Sequence, residues 1–376
     1  MSARESREPA RRARRIVVKV GSAVLTRDGT LRRGVFGAIA RQASELIQQG
    51  RQVVIVSSGA IALGSRALGW RGPRRSIPEL QAAAAIGQIT LSEIYQRRFA
   101  RHGKYVGQVL VTRSGLENRV RYLNARHTLA TLLRLGAVPV VNENDTVATE
   151  EIRFGDNDNL AATIASLVDA DLLVILTDVD GLYVEPPTPG RPKPALHTVV
   201  ESITPEIERA AQGSSTAFGR GGMISKLQAV RSAARSGAAT VICNGRTQDV
   251  LLRIANGEPV GTLFLAGARL TSRKHWLAFT TQPRGKLELD AGAVAAVREK
   301  GRSLLPAGIV SVTGDFSIGE TVSCVDADGR EIARGLVAYS ADETQRIMGA
   351  ATKRIAQVLG YSNGAEVIHR DDLAIL

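Results

Sequence analysis

Short runs rich in β-branched residues alternate with alanine- and leucine-rich stretches through the first two-thirds of the chain. The runs have the length and apolar continuity of buried parallel strands. Alternation of strand and helix predicts an α/β fold, an open αβα sandwich with a mainly parallel sheet. The predicted strands are 16–20, 53–56, 106–110, 138–141, 172–176 and 240–242, and the clearest predicted helices are 79–100, 121–135, 159–168 and 223–236.

The pattern changes in the last hundred residues. Strand-like runs at 309–312, 320–325 and 332–338 follow one another, and Asp328 with Gly329 forms a hairpin turn signal. A single core tends to stop growing at roughly 250 to 300 residues, so a chain of 376 residues favours one large and one small domain. We place the boundary near residue 275, between a first domain at 16–270 and a small, mostly β barrel or sandwich at 276–376.

The positive charge of the chain belongs to its first part. Residues 1–275 carry 38 Lys and Arg against 23 Asp and Glu, whereas residues 276–376 carry 11 against 13. Such a field favours anionic substrates, although a generally solubilising charge explains it equally well. Nucleic-acid affinity comes largely from Lys and Arg on phosphates, so the slightly acidic C-terminal part argues against a nucleic-acid partner.

Several classes of protein are disfavoured by what the chain lacks. No apolar run reaches the roughly 18 residues of a spanning helix, and residues 1–15 are basic without the apolar segment of a secretory signal. We therefore predict a disordered tail at 1–15 and a soluble protein without a membrane partner. Cys243 and Cys324 are far apart, which argues against a disulfide framework and fits a reducing cytoplasm. The five scattered histidines do not have the spacing of a zinc site.

Glycines and hydroxyls collect where the first two predicted strands end. The first strand runs through Lys19 into Gly21, and the second runs into Ser58 and Gly59. Glycine lets a backbone approach a phosphate closely, and a following helix N-terminus offers free N–H groups. The alternative is that Lys19 is a surface lysine and that the glycines only allow tight turns.

Amides and carboxylates follow the fourth and fifth predicted strands. The segments are Asn142-Glu143-Asn144-Asp145, Phe154-Gly155-Asp156-Asn157-Asp158-Asn159 and Thr177-Asp178-Val179-Asp180. Buried without partners these groups would be costly, so they indicate a polar ligand, an ammonium, a carboxylate or Mg²⁺. The alternative is a set of Asx turns with a helix N-cap.

A glycine-rich loop at 219–226 opens a predicted helix and places Lys226 one turn into it. It is not a Walker A sequence, because GxxxxGK[ST] does not occur in the chain. Backbone N–H groups and an ammonium nevertheless form a phosphate cradle, and a flexible linker is the alternative.

Taken together, these segments resemble the amino-acid kinase family from about residue 16 to 372. The matching stretches are VVKVGSAVLT, VVIVSSGAIALG, QAAAAIGQ, QVLVTR, NARHTLATLL, VPVVNENDTVATEEIRFGDNDNLAA, LTDVDGLY, GGMISKLQAV and GTLF. The C-terminal stretches SLLPAGIVSVTGDFSIGE and DGREIARGLVAYS resemble a PUA domain. Two positions of the phosphate loop depart from the family pattern, since Arg220 replaces the usual Thr and Ile224 follows Met223.

The resemblance implies a role for each matching residue. Catalysis would involve Lys19, Asp158 and Lys226, with Asp158 organising the lysines and Mg²⁺ around the transferring group. The metal would be bound mainly through the phosphates of ATP. The residues implied to bind ATP are Lys19, Gly21, Thr177, Asp178, Arg220, Gly221, Gly222, Met223, Ile224, Ser225 and Lys226, and those implied to bind the acceptor are Ser58, Gly59, Asp145 and Asn157.

The resemblance is closest to family members that phosphorylate the γ-carboxylate of L-glutamate at the start of proline synthesis. It implies ATP and Mg²⁺ as cofactors, proline as a feedback inhibitor and a homo-oligomer, a dimer or a tetramer. Two alternatives remain. One is a kinase of the same fold acting on N-acetylglutamate, aspartate or UMP, and the other is an RNA-binding protein acting through the PUA-like part.

Overall fold

A computed structural model describes residues 7–27, 30–70, 76–147, 157–188, 190–212, 222–266 and 282–376. The chain divides into two compact units, one of Met1–Gly115 with Arg119–Arg269 and the other of Leu270–Leu376 with Leu116–Asn118. The predicted boundary near residue 275 lies outside the described residues. No helix in the described ranges is long and apolar enough to cross a membrane.

Within the described part of the first unit, eight strands form one sheet in the order β5-β6-β4-β1-β7-β9-β10-β8. Neighbouring strands are parallel except for β9 and β10. The mainly parallel sheet and its six predicted strands are thereby confirmed. The strands are β1 Arg15–Val20, β2 Thr26–Arg27, β3 Thr30–Leu31, β4 Gln52–Ser57, β5 Val106–Val111, β6 Val138–Glu143, β7 Leu172–Thr177, β8 Val199–Val200, β9 Ala239–Asn244 and β10 Thr262–Phe264, of which β2 and β3 pair separately.

The helices of this unit include the four predicted most clearly. They are α1 Glu8–Arg12, α2 Ser22–Leu25, α3 Arg33–Gln48, α4 Ala60–Ala67, α5 Ile77–Ala100, α6 Arg113–Glu117, α7 Arg119–Arg134, α8 Asn157–Leu167, α9 Pro205–Gln212, α10 Met223–Arg235 and α11 Val250–Ala255. The longest, α5, begins where Ser76 and Glu79 cap each other's backbone N–H groups. This capping box satisfies donors that the first helical turn leaves free.

The central strands of the sheet are largely buried and position the polar residues at their carboxyl ends. Strand β1 lies between β4 and β7, and β7 is buried along its whole length. Because all three strands run parallel, their carboxyl ends meet at one edge of the sheet. That edge carries Lys19, Ser57 and Thr177, each at or near the end of its strand.

The predicted disordered tail is wrong from Arg7 onward. Residues Glu8–Arg12 form α1, and Ala10 and Ala13 are buried against the first unit. Arg7 is only 1% exposed. The sequence pattern missed this segment because most of its arginines are exposed, whereas the few small residues between them pack against the core.

Two glycines allow α4 and α5 to cross at backbone contact. A Cβ atom at Gly64 would lie 1.7 Å from the carbonyl oxygen of Ala83, and one at Gly87 would lie 1.8 Å from that of Ala60. Only glycine fits at such an approach. The crossing holds α5 against the first turn of α4, which directly follows Ser58 and Gly59.

We expect Gly87→Ala to lower the free energy of unfolding by about 1–3 kcal/mol or more, because an overpacked contact must push two helix backbones apart. Urea denaturation of the full chain measures the change. Gly34→Ala is the matched control, since Gly34 lies in α3 with nothing within 4 Å of a new Cβ. Equal stabilities for the two variants would contradict the close crossing.

The second unit has a sheet of its own in the order β12-β11-β13-β14-β15. The strands are β11 Gly285–Leu289, β12 Ile309–Gly314, β13 Thr321–Val325, β14 Glu331–Leu336 and β15 Leu373–Ile375, and the helices are α12 Ala291–Arg298, α13 Ala341–Ile347 and α14 Ile355–Leu359. Strands β13 and β14 are antiparallel across the predicted turn at Asp328 and Gly329. The predicted small, mostly β domain is confirmed, and Phe316 and Tyr339 are among the largest side chains of its core.

Candidate active site

A buried carboxylate joins two lysines at the edge of the sheet. The Nζ atom of Lys19 lies 2.5 Å from Oδ1 of Asp158, and the Nζ atom of Lys226 lies 3.1 Å from Oδ2. The exposed fractions are 7% for Lys19, 0% for Asp158 and 6% for Lys226. The structure therefore brings together the three residues that the sequence singled out as catalytic, although they are 139 and 68 positions apart along the chain (158 − 19; 226 − 158).

Each member of this cluster stands on a regular element. Lys19 belongs to the central strand β1, Asp158 to the first turn of α8, and Lys226 to the first turn of α10. A carboxylate in the first turn of a helix is favoured by the helix dipole. Lysines and carboxylates are almost never fully buried unless they are paired, so this arrangement is a strong restraint on where the three elements can lie.

The charge state of Asp158 follows from its neighbours. Burial by itself raises the pKa of a carboxyl group, but the charges and hydrogen bonds of Lys19 and Lys226 outweigh it and hold the pKa of Asp158 below its ordinary value. Asp158 is thus ionised at neutral pH. Two ammonium groups and one carboxylate sum to one positive charge, which suits a site for a phosphate group.

The glycine-rich segment meets the cluster through its last residues. Gly222 precedes α10 with an extended backbone, and the Oγ atom of Ser225 donates to Oδ2 of Asp158 at 3.2 Å and to the carbonyl of Gly222 at 3.0 Å. Met223 is buried and Ile224 is 46% exposed. The first turn of a helix has backbone N–H groups without helical partners, so a phosphate can bind here. Arg220 and Gly221 lie outside the described residues.

The turn after β1 is built for close approach. The N–H of Gly21 donates to the carbonyl of Leu176 at 3.1 Å. A Cβ at Gly21 would lie 3.2 Å from that carbonyl oxygen and 3.7 Å from Nζ of Lys19. A side chain here would therefore press on the carbonyl of Leu176 while only touching Lys19, which favours the glycine that was predicted to lie in the nucleotide site.

A chain of amides links the end of β4 to the start of α8. Nδ2 of Asn157 lies 2.9 Å from Oγ of Ser58, 3.2 Å from the carbonyl of Ser57 and 3.1 Å from Oδ1 of Asn142. Nδ2 of Asn142 in turn donates to Oε1 of Gln88 at 2.9 Å. The structure thus joins the predicted residues Ser58 and Asn157 to each other and places them beside the lysine cluster, since Asn157 precedes Asp158.

Gln88 is a member of this network that no sequence pattern singled out, whereas Asn142 begins the amide-rich segment after the fourth predicted strand. Both are buried, at 9% and 2% exposure. A glutamine in the middle of the alanine-rich helix α5 was the available signal, because a polar residue on an apolar helix face needs a partner. The partner itself, on β6, could not be read from the sequence.

Gly59 and Asp145 flank the amide network. Gly59 precedes α4 with φ of 108°, a left-handed conformation that favours glycine. Asp145 is half-buried in the turn that follows β6. Their positions at the carboxyl ends of β4 and β6 agree with the edge at which we expected the acceptor site.

The loop after β7 is held by several side chains. Thr177 is buried, and its Oγ1 donates to Oδ1 of Asp178 at 3.2 Å. Asp180 accepts from Nδ2 of Asn244 at 2.9 Å, from Lys193 Nζ at 2.6 Å and from the hydroxyl of Tyr183 at 2.8 Å. The hydrogen bonds from Asn244, Lys193 and Tyr183 and the charge of Lys193 hold the pKa of Asp180 at about 2. Asp180 therefore fastens the loop, which favours the turn interpretation of this residue over a metal ligand.

Comparison with known proteins agrees with this fold. The amino acid kinase family matches residues 14–244, and the PUA domain matches residues 285–359. The chain is 51% identical to a glutamate 5-kinase of Nitrosococcus oceani over 372 residues, which are 98% of this chain and 99% of that protein. It is 50% identical to the glutamate 5-kinases of Methylobacillus flagellatus and Hahella chejuensis, over 97% and 99% of this chain and 98% and 97% of theirs.

The first match covers the lysine cluster, the amide network and every described strand of the large sheet except β10, and the second covers most of the separate β-rich unit. The aligned residues cover 97–99% of this chain and of each of the three relatives. The chain belongs to the amino acid kinase family, with a PUA domain following its kinase domain.

Proposed function

We propose that the protein transfers the γ-phosphoryl group of ATP to the γ-carboxylate of L-glutamate, giving L-glutamyl 5-phosphate for proline biosynthesis. The buried bridge of Lys19, Asp158 and Lys226 is the observation that carries this proposal. It supplies what phosphoryl transfer requires most, fixed positive charge around a transferring group. The glutamate 5-kinases similar to this chain over their whole length supply the choice of acceptor.

The reaction needs no general base. A glutamate side chain has an ordinary pKa of about 4.3, so at neutral pH its oxygen is already the nucleophile. That oxygen attacks the γ-phosphorus, a new O–P bond forms, and the bond to the β-phosphate oxygen breaks as ADP leaves. The barrier comes largely from bringing an anion up to a polyanion, which preorganised ammonium groups and backbone donors lower.

Asp158 holds the two ammonium groups ready for this step. Without a shared counterion, Lys19 and Lys226 would repel each other in a buried position. With it, both Nζ atoms are fixed before the substrates bind, so little reorganisation is needed during the reaction. Because both oxygens of Asp158 contact ammonium groups, Mg²⁺ would be held by the phosphate oxygens of ATP, where it would offset their charge.

On the nucleotide side we assign Lys19, Gly21 and the first turn of α10 to the phosphates. Thr177 and Asp178 lie at the end of β7, the strand next to β1, and are assigned to the rest of the nucleotide. Arg220 and Gly221 keep their predicted place in the phosphate loop. On the acceptor side, the carboxylate of Asp145 suits the substrate ammonium, and Ser58, Gly59 and Asn157 suit its carboxylates.

The remaining expectations extend this proposal. Proline as a feedback inhibitor, a homo-oligomeric assembly and a cytoplasmic location agree with a first enzyme of amino-acid synthesis, and each stays a prediction.

A panel of acceptors tests the proposal. The full chain is incubated with ATP, Mg²⁺ and glutamate, N-acetylglutamate, aspartate or UMP, and hydroxylamine is added to trap an acyl phosphate. We expect a hydroxamate and ADP when glutamate is the acceptor. The kcat/KM for glutamate should be well above that for each of the other acceptors. Phosphorylation of UMP without any reaction of glutamate would overturn the assignment, and added proline shows directly whether it inhibits.

A further inference from the structure

Arg7 is a buried arginine that the reaction itself does not use. Its guanidinium donates to the carbonyls of Gly261 at 2.7 Å, of Val260 and Thr198 at 2.8 Å each, and of Glu258 at 3.3 Å. Within the described ranges, these backbone oxygens are the acceptors of its hydrogen bonds, and no carboxylate pairs with it. Burial consequently lowers the pKa of Arg7 from its ordinary value.

A charged side chain buried without a counterion is costly, so its position calls for an explanation. Arginine presents donors in a rigid planar fork, and this fork can hold several carbonyls in one fixed arrangement. The carbonyls belong to the segments that lead into two different strands, because Thr198 precedes β8 and Gly261 precedes β10. Arg7 therefore fastens the starts of β8 and β10 together from outside the sheet.

The residue after Gly261 connects this fastening to the loop beyond β7. The N–H of Leu182 donates to Oγ1 of Thr262 at 2.8 Å, and the same hydroxyl donates to the carbonyl of Leu182 at 3.5 Å. Packing is equally close, since a Cβ at Gly181 would lie 2.7 Å from Oγ1 of Thr262. Any shift of Thr262 is thus passed to Gly181 and Leu182, next to Asp180.

Gly261 makes this linkage stiff. It adopts a left-handed φ of 65°, and a Cβ there would lie 2.2 Å from the carbonyl oxygen of Ile242 and 2.6 Å from Cβ of Cys243. The turn at Gly261 has no room to relax toward β9. The position of the Gly261 carbonyl is therefore set by the group that binds it on the other side, the guanidinium of Arg7.

We propose that Arg7 is a positioning residue for the nucleotide site: through Gly261 and Thr262 it fixes the loop of residues 178–183 in the conformation that receives ATP. This proposal rests on the proposed function, which assigns Thr177 and Asp178 to the nucleotide. It places a determinant of ATP affinity in the N-terminal segment, before the first strand of the kinase sheet and far along the chain from the residues it positions.

The test compares Arg7→Gln with Arg12→Gln in the full chain. Arg12 is the last residue of α1, the helix that Arg7 immediately precedes; it is exposed and pairs with Glu8, so the control makes the same change of charge without affecting the bound carbonyls. We expect Arg7→Gln to raise KM for ATP by about tenfold, within the loss of about 10²-fold that a misplacement of 1 Å can cause, while KM for glutamate stays near that of the wild type. Arg12→Gln should leave both constants unchanged.

Two further variants distinguish the positioning of the nucleotide loop from a general loss of stability. Ile39→Val opens a small gap in the core of the same unit, and at an equal loss of Tm it should leave KM for ATP unchanged. Arg7→Lys retains the charge but not the fork, so its KM for ATP should lie between those of the wild type and Arg7→Gln. The proposal would be overturned if Arg7→Gln and Ile39→Val both raised KM, by the same factor for ATP as for glutamate.

A double-mutant cycle tests the path itself. Thr262→Val removes the hydroxyl that binds Leu182. If Arg7 acts through Thr262, the fold-change in KM for ATP in the double variant should be smaller than the product of the two single fold-changes. Independent, multiplicative effects would overturn the path. Direct binding of ATP to each variant, measured by calorimetry without an acceptor, separates the two proposals: a wild type that binds no ATP refutes the function, whereas equal binding by wild type and Arg7→Gln refutes only the role of Arg7.

Discussion

Replacing Lys226 by alanine is expected to lower turnover with ATP and glutamate by at least about 10²-fold, the size of effect that follows the loss of one preorganised electrostatic group. Lys226 is 6% exposed and its Nζ lies 3.1 Å from Asp158. Water cannot readily replace the ammonium at so buried a position, so the developing charge on the transferring phosphoryl group would go uncompensated. Steady-state kinetics at saturating ATP and glutamate measure the effect.

The control for this variant is Arg231→Ala. Arg231 lies on the same helix, five residues beyond Lys226, and pairs with Glu208 at the surface. The Arg231→Ala variant removes one positive charge from α10 at a distance from the lysine cluster, and we expect its turnover to be nearly normal. Near-normal turnover of Lys226→Ala as well would remove Lys226 from the mechanism.

Replacing Asp158 by asparagine is expected to cost about 3–5 kcal/mol of stability, because removing one partner of a buried ion pair leaves the other charge uncompensated. Here two ammonium groups lose the same counterion. Turnover should also fall by about 10²-fold or more, since neither Nζ is then held in place. Urea denaturation gives the stability, and single-turnover phosphorylation of glutamate gives the rate.

ATP distinguishes a functional cluster from a purely structural one in this variant. The triphosphate supplies the negative charge that asparagine lacks, so saturating ATP should raise Tm more in Asp158→Asn than in the wild type. Asp169→Asn is the control, because the pair of Asp169 with Arg126 is only half-buried, and an ion pair near the surface is worth about 1 kcal/mol or less. An unchanged stability of Asp158→Asn, or equal stabilisation of both proteins by ATP, would contradict this account.

The contribution of the Asp158 carboxylate to the stability of the fold depends on pH with a definite sign. The pKa of Asp158 in the folded protein is lowered, so the carboxylate stabilises the fold fully above the unfolded-state pKa of about 3.9. The contribution is lost as the pH falls through the lower folded-state value. The difference in stability between wild type and Asp158→Asn should therefore be constant near neutral pH and narrow below about pH 4.

The sheet and the alternation of its strands with helices could be predicted from the sequence, because buried parallel strands are nearly continuous apolar runs. Strands β1, β4, β6 and β7 have this character, and their ends differ from the predicted ends by at most two residues. The short strands β8 and β10 were not predicted as such. Val199–Val200 is too short to show any period, and its place in the sheet depends on pairing with a strand more than sixty residues later.

The site was predicted only in part for a similar reason. Lys19, Asp158 and Lys226 each follow an apolar run or a glycine turn, and such positions point to the edge of a parallel sheet. Asn142 also follows an apolar run, but the side chain that it contacts, Gln88, carries no such local mark, and neither does Arg7. Gln88 lies within a helix, and Arg7 stands in a segment whose composition is that of a solvated tail.

Local pattern by itself determined the class of fold, the separate β-rich domain and the edge of the sheet at which the polar residues gather, because apolar period and turn residues act over a few positions. Only the tertiary structure decided which charges meet: that one carboxylate serves two lysines, that an amide chain reaches from α5 to α8, and that an arginine near the N-terminus binds carbonyls some 250 residues away. A buried polar group takes whichever partner the packing brings within about 3 Å, and the separation of the two along the chain leaves no trace in either local sequence.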